Sequence, residues 1–211
     1  LNNDVEFIDG LWLSKMVSTA ESDKRIGIVG CSLIDKAGKG FKYGAGFVDP
    51  KLWLVGNAER VEKMLEKTKG EVKSTVFACV LIKRSVVEKI GYLDEDFYPG
   101  YWEDTDYCLR ARAAGFKVVV NWSVKVIHLG GVSWKRRRKV DRTFLKYWCR
   151  NRNLFALLHM PYHFLPLWFG YEIFTSIFHL NEPFSPLRLS NLSFNRDFHI
   201  KLWNTFAAWL Y

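Results

Sequence analysis

The sequence predicts an α/β domain over residues 1–134, followed by a basic and aromatic helical segment over residues 135–211. Short apolar runs rich in Ile and Val alternate with stretches of helical spacing, which is the pattern of α/β domains. A basic run follows residue 134, and the chain beyond it is densely aromatic. The length of 211 residues suits one sizeable domain, or one domain with a smaller appendage.

The first half of the chain contains two predicted strands. Arg25 to Leu33 is a short run of Ile and Val punctuated by Gly, which is typical of a buried strand. A glycine-rich loop follows from Lys36 to Gly46, and the spacing of apolar residues favours a surface helix from Val55 to Lys69. The apolar stretch from Ser74 to Ile82 is the strongest strand candidate in the chain.

Two short helices with a loop between them come next. Ser85 to Ile90 predicts a helix closed by Gly91, and Thr105 to Ala114 predicts a helix stopped by Gly115. Between these helices, Tyr92 to Trp102 is an acidic and aromatic loop broken by a Pro-Gly pair.

The remaining residues divide into strands and a helical region. Lys117 to Val120 and Val124 to Ile127 predict two strands, and a helix is expected to run up to Met160. Pro161 to Leu180 is apolar and aromatic but is interrupted by Pro, Gly, His and Glu, which favours a segment lying at a membrane surface over a spanning helix. The tail from Ser193 to Tyr211 is also amphipathic in pattern.

Charge and cysteine content limit the classes of partner. The chain has 31 Lys and Arg against 22 Asp and Glu, so a phosphorylated substrate, an anionic membrane or a nucleic acid would be attracted. No nucleic-acid module with interleaved basic and aromatic residues is recognisable, which argues against nucleic acid. The basic run Lys135–Lys139 is either a solvated face or a contact for anionic lipid or diphosphate. Four widely spaced cysteines predict inert, reduced thiols and argue against a zinc site: Cys31, Cys79, Cys108 and Cys149.

Six carboxylates are concentrated within thirteen residues of this basic chain: Asp94, Glu95, Asp96, Glu103, Asp104 and Asp106. Such a cluster favours a bound cation, a shared proton or an acceptor hydroxyl. The alternative is a solvated loop with an Asp that caps the following helix. Two further sites also have two interpretations each. His128 at a strand end is either a structural residue or a metal ligand, and the polar run Asn2-Asn3-Asp4 is either a simple turn or a binding loop.

Four motifs in order carry a family resemblance: LNNDVEF, TVFACVLIKRSVVEKIGYLDEDFYPGYWEDTDYCLRARAAGFKVVV, VIHLGGVS and KYWCRNRNLFAL. Together they resemble family 2 glycosyltransferases of bacteria and archaea, particularly the rhamnosyltransferase-like members, from Leu1 to Leu158. The resemblance implies the acceptor-side half of a GT-A-like mixed sheet flanked by helices. It also implies inverting transfer of a sugar from a nucleotide-diphosphate donor to a hydroxyl of a glycan or lipid-linked glycan.

The resemblance assigns donor and metal roles near the two ends of the domain. Asn2, Asn3 and Asp4 match the DXD-type loop that holds the nucleotide and the metal, with Asn2 in place of the usual first acid. Asp4 and His128 would bind the metal. Carboxylate, imidazole and phosphate oxygens suit Mn²⁺ or Mg²⁺.

The acceptor roles fall on the acidic loop. Asp104 matches the catalytic base, and Glu103 is expected to contact the acceptor. The transition state would resemble that of glycoside hydrolysis, so Glu103 is also a candidate to stabilise it. Trp102 and Asp106 are expected to contribute to acceptor binding.

The sequence also differs from the family pattern. The family begins with a nucleotide-binding half, so we expect the chain to begin within a longer protein. Phe77-Ala78-Cys79 stands where the family often has two small residues, which would reshape the sugar pocket.

The expected location is cytoplasmic, peripheral on the inner face of the cell membrane. The alternative function is a catalytically incomplete, membrane-peripheral binding module that retains the transferase-like fold.

Overall fold

The computed structural model describes residues 1–34, 36, 47–48, 55–56, 69–129 and 142–177. The chain forms two compact units. The first contains residues 1–95 and 103–136, and the second contains residues 96–102 and 137–211. The second unit therefore combines the loop at residues 96–102 with the chain that follows residue 136.

In its described residues the first unit carries the main sheet, two small strands and three helices. In chain order its elements are β1 (Val5–Phe7), α1 (Trp12–Glu21), β2 (Ile26–Ile34), β3 (Phe47–Val48), β4 (Val55–Gly56), β5 (Lys69–Val72), β6 (Val80–Ile82), α2 (Arg84–Ile90), α3 (Glu103–Ala113) and β7 (Lys117–His128). A 3₁₀ turn covers Glu95–Phe97.

The main sheet is mixed and has the order β1-β7-β2-β6, with β5 also paired to β7. β2 and β7 are parallel, whereas β1 and β5 are antiparallel to β7 and β6 is antiparallel to β2. One edge of β7 is shared by two strands, because β5 pairs with residues 118–121 and β1 pairs with residues 126–128. This sharing brings the start of the chain to the end of β7.

Helices cover both faces of the sheet. On one face Met16 and Ala20 of α1 pack with Val29, and on the other face Tyr107 and Cys108 of α3 pack with the neighbouring Ile28. Because successive residues of a strand point to opposite faces, both sets of side chains on β2 are expected to be mainly apolar. All nine of its residues are buried, which explains the continuous apolar run in the sequence.

Several elements differ from the sequence predictions. The stretch from Ser74 to Ile82 is a strand only at Val80–Ile82, because the Phe77 N–H and the Ala78 carbonyl form their hydrogen bonds outside the sheet. The predicted strands at 117–120 and 124–127 are one strand with an irregularity, where the partner of β2 shifts from Asn121 to Lys125. α1 and β1 were not predicted.

The glycine-rich loop and the helix predicted from Val55 to Lys69 fall largely outside the described residues. The ends of that helix are wrong, because Val55–Gly56 pairs with Phe47–Val48 and Lys69 opens β5. The ladders satisfy backbone groups that a helix would have bonded internally.

The second unit contains α4 (Arg142–His159), a 3₁₀ turn (Tyr162–Phe164) and α5 (Leu165–Ile177). Phe155 and Trp168 are buried, and the Trp168 indole N–H donates to Asn153 Oδ1 at 3.0 Å. The Arg152 guanidinium lies over the Trp148 ring, 4.7 Å from its centroid. This unit therefore packs around aromatic rings.

The predicted interfacial segment from Pro161 to Leu180 is helical over Leu165–Ile177. Tyr162 and Leu167 on it are exposed, whereas Trp168 is buried. No helix in the described part of the chain combines the length and apolar character needed to cross a bilayer. The basic run Lys135–Lys139 and the tail from residue 193 lie outside the described residues.

Candidate functional site

The structure brings Asp4 and His128 together through strand pairing. β1 and β7 run antiparallel with Val5 opposite His128, and the Leu129 N–H donates to the Asp4 carbonyl at 3.0 Å. The Asp4 Oδ1 and His128 Nε2 atoms are 3.3 Å apart, and the two side chains are 20% and 16% exposed. A carboxylate and an imidazole thus meet at a partly accessible sheet edge.

The polar loop before β1 is anchored by its backbone. The Asn2 N–H donates to the Ala78 carbonyl at 2.9 Å. Asn3 lies in the turn that leads into β1, and the side chains of both asparagines are exposed. These side chains are therefore available to a ligand, while the main chain is held next to the segment that precedes β6.

Asp104 lies in the first turn of α3 and is tied to that same segment. Its carboxylate accepts hydrogen bonds from the backbone N–H of Phe77 and from the Thr105 N–H, the latter at 2.7 Å. Phe77 and Ala78 are consecutive residues, and consecutive Cα atoms are about 3.8 Å apart. The loop containing Asn2 and the Asp104 carboxylate are thus attached to adjacent residues of one segment.

Two opposing influences act on the Asp104 carboxyl group. Burial raises its pKa, whereas hydrogen bonds from Thr105 and Phe77 favour the charged form and lower it. The effect of burial is larger, so the pKa of Asp104 is raised above its ordinary value. Such a carboxylate holds a proton more strongly than one in water.

Glu103 is the neighbouring acid. Burial, and then repulsion from the Asp104 carboxylate, raise its pKa from 4.5 to about 7. Its Oε2 atom is buried and accepts no hydrogen bond within the part of the chain that the structure describes. The two adjacent acids therefore resist carrying two negative charges at neutral pH.

Asp106 and Trp102 occupy buried positions. Asp106 is 1% exposed, and its Oδ2 atom accepts a hydrogen bond of 2.8 Å from Arg110 Nε. In the second unit, the Trp102 ring contacts the rings of Trp148 and Phe155, with centroid separations of 6.0 and 5.1 Å. Both side chains thus have structural partners, and their roles in acceptor binding stay predictions.

The side chains of Asp4 and His128 suit a divalent cation whose remaining coordination positions are filled by a bound ligand. Across residues 1–34, 69–129 and 142–177 and the short described pieces between them, no group of three or more His, Cys, Asp or Glu side chains could hold a metal ion. Asp4 and His128 provide one oxygen and one nitrogen, which Mn²⁺ accepts together with phosphate oxygens.

The role of the Phe77–Ala78 segment could not be predicted from side-chain patterns. The bonds to Asp104 and Asn2 use a main-chain N–H and a main-chain carbonyl, which nearly every residue type supplies. Its one visible signal was the departure of Phe77-Ala78-Cys79 from the small residues of the family pattern.

Comparison with known proteins places these features in context. The chain is similar in structure to GalNAc-T7, which was solved with UDP, GalNAc and Mn²⁺. The superposition has a TM-score of 0.52 and 14% sequence identity, and it covers 89% of this chain and 35% of GalNAc-T7. This chain has a GT-A-like fold. The predicted mixed sheet with flanking helices is thereby confirmed. No protein-family model matches the chain.

Two relatives of the GT-A-like chain bear names from glycan synthesis. This chain is 33% identical over 135 residues to the O-antigen biosynthesis protein RfbC of Myxococcus xanthus, and the match covers 61% of this chain and 10% of RfbC. It is 35% identical over 77 residues to the low-salt glycan biosynthesis hexosyltransferase Agl10 of Haloferax volcanii, covering 36% of this chain and 24% of that protein. The chain spans a quarter or less of these relatives, whose names support a relationship to glycosyltransferases of polysaccharide synthesis.

Proposed function

We propose that this chain is the acceptor-side part of a metal-dependent, inverting glycosyltransferase that uses a nucleotide-diphosphate sugar. One observation carries the proposal. Within the first unit, the loop that leads to the Asp4 and His128 pair and the Asp104 carboxylate are both bonded to the Phe77–Ala78 segment. A candidate metal-binding pair and a candidate base are thus tied to one short piece of chain.

Asp104 is the proposed general base. In an inverting transfer the acceptor hydroxyl attacks the anomeric carbon opposite the leaving diphosphate, and its proton must be removed. The raised pKa of Asp104 suits this step, because a base is most effective when its pKa approaches the working pH. General base catalysis is typically worth about 10²–10⁴ in rate.

Asp4 and His128 are the proposed protein ligands of the cation. The solved structure of GalNAc-T7 contains Mn²⁺ and UDP, which supports a divalent metal and a nucleoside diphosphate here. When bound, the cation would supply Lewis-acid stabilisation of the departing diphosphate. Asn2 and Asn3, which are exposed beside Asp4, would contact the nucleotide.

Glu103 is proposed to face the acceptor. Its pKa of about 7 leaves it partly protonated at neutral pH, so its free Oε2 atom can donate to a sugar oxygen or accept from one. The names of the relatives favour a glycan or a lipid-linked glycan as the acceptor. We further propose a peripheral location on the inner face of the cell membrane, supported by the basic run Lys135–Lys139 and by the exposed Tyr162 and Leu167.

The decisive experiment compares Asp104→Asn with wild type in the full-length protein. Transfer is expected to fall by about 10²–10⁴, while calorimetry shows near-normal binding of the donor. Asp94→Asn, the same change in the same acidic stretch, serves as control and should retain activity. Equal turnover by Asp104→Asn and wild type would remove Asp104 from the mechanism.

The alternative, a catalytically incomplete binding module, makes a different prediction. It requires the full-length protein to bind anionic vesicles and to show no metal-dependent transfer or donor hydrolysis. That result with correctly folded wild-type protein would replace the enzyme proposal.

A further inference from the structure

The loop at residues 96–102, here called the aromatic loop, has a backbone conformation that side chains rarely adopt. Tyr101 and Trp102 have φ values of 75° and 76°, in the left-handed region that favours glycine. Two consecutive aromatic residues in this region persist only where surrounding contacts impose the conformation. The next residue in the chain is Glu103, which begins α3.

Asn151 of α4 supplies those contacts. Its Nδ2 atom donates to the carbonyls of Phe97 at 2.6 Å, Gly100 at 2.7 Å and Tyr101 at 3.3 Å. The side chain is 0% exposed. One buried amide thus bonds three carbonyls in a five-residue stretch of the loop. An Asn inside a helix usually lowers helix stability, so these bonds give a reason for its presence in α4.

Two neighbours reinforce the attachment. The Arg150 guanidinium donates to the Asp96 carbonyl at 2.7 Å and to the Tyr98 carbonyl at 3.1 Å. The Trp102 ring contacts Phe155, one turn further along α4. The aromatic loop is therefore held from both ends by a single helix.

We infer that Asn151 is a positioning residue for the proposed reaction. By fixing the backbone up to Trp102, it holds the residue that is covalently joined to Glu103, the first residue of α3, which is followed by Asp104. The inference rests on the proposed function for its catalytic meaning. Errors of about 1 Å in the placement of reacting groups can cost roughly 10²-fold in rate, so precise placement of these acids has kinetic value.

Hydrogen exchange tests this inference without any assay of activity. The Gly100 N–H donates to the Phe97 carbonyl at 2.8 Å, the same oxygen that Asn151 binds, and the Thr105 N–H donates to Asp104 Oδ1 at 2.7 Å. In Asn151→Ala, both amides should exchange at least about tenfold faster than in wild type, because the loop loses its attachment.

Asn153→Ala is the matched control. Asn153 is also a fully buried amide of α4, but its hydrogen bonds run to the Cys149 carbonyl and the Trp168 indole. Asn153→Ala also removes a buried amide from α4 and lowers the stability of the fold. The exchange of the Gly100 and Thr105 amides should therefore speed up only as far as this loss of global stability requires. Equal rates in the Asn151 and Asn153 variants would overturn the inference.

Kinetics then separates positioning from general destabilisation. For the full-length protein, kcat per donor-binding site should fall about 10- to 100-fold in Asn151→Ala with little change in donor KM, and should fall much less in Asn153→Ala. Faster loop exchange with unchanged kcat would also overturn the inference. If Asn151→Ala does not fold, Arg150→Met removes two loop bonds at a half-buried position and should show the same direction of change in exchange and kcat.

The proposed function can fail separately. If wild type transfers no sugar, the enzyme proposal is wrong. The exchange of the Thr105 amide still decides whether Asn151 places the first turn of α3.

Discussion

Replacement of Glu103 by Gln should make the protein more stable at pH 8 and should have little effect at pH 5. The folded-state pKa of Glu103 is about 7, against an ordinary value of 4.5. Below pH 4.5 the carboxyl group is protonated in the folded and the unfolded chain, so no ionisation cost arises. Between pH 4.5 and about 7 the unfolded chain loses this proton while the folded protein still keeps it, so stability falls across this interval and levels off above it, where both states are ionised.

The magnitude follows from the shift in pKa. At about 1.36 kcal/mol per unit, the difference between 4.5 and about 7 corresponds to about 3 kcal/mol once both states are ionised. Glutamine is neutral at every pH and avoids this cost. For a protein of this size, 1 kcal/mol changes the melting temperature by roughly 2–4 °C, so a gain on the order of 6–12 °C is expected at pH 8.

Thermal unfolding followed by circular dichroism at pH 5, 6, 7 and 8 measures this difference. The pH dependence, and not the absolute value, tests the argument, because any cost of burying the Gln amide is the same at every pH. Glu88→Gln is the control: Glu88 is 64% exposed and paired with Arg84 on the surface, so its effect should be small at every pH. A difference between Glu103→Gln and wild type that stays constant from pH 5 to 8, or shrinks with pH, would refute the reasoning.

Two further substitutions test other parts of the structure. His128→Ala should raise the concentration of Mn²⁺ needed for half-maximal transfer by about 10-fold or more, since it removes one of two proposed protein ligands; an unchanged metal titration would make His128 structural. Gly30→Ala should cost about 1–3 kcal/mol, because the new Cβ would lie 2.0 Å from Thr75 Oγ1; chemical denaturation measures the loss, and Thr75→Ala in the same chain should recover part of it.

The sequence predicted the elements whose signals are local. Nine buried residues, of which only Ser32 is polar, mark β2 because both faces of that strand are covered. Gly91 and Gly115, predicted as helix ends, have φ values of 76° and 94°, which other residues rarely adopt. α1 escaped prediction because Leu13 and Val17 on it are exposed, so its apolar residues do not define one face.

The site depended on contacts that a sequence does not display. Asp4 and His128 were candidates by residue type and resemblance, but their approach depends on a pairing between strands more than a hundred residues apart. The attachment of Asp104 to Phe77 is a bond to the main chain and leaves no trace in residue type. Asn151 likewise lay within a basic helix pattern, and its three bonds require knowledge of where the aromatic loop lies.

The shortness of β1 has a consequence for ion binding. This strand has three residues, and among the described residues it pairs only with β7. Short strands at a sheet edge open locally at a much lower free energy than the core. Each opening would separate Asp4 from His128 while β2 and β7 stay paired. A cation that binds both side chains would therefore stabilise the pairing of the first seven residues with β7. Its observed affinity would be reduced by the free energy needed to restore that pairing.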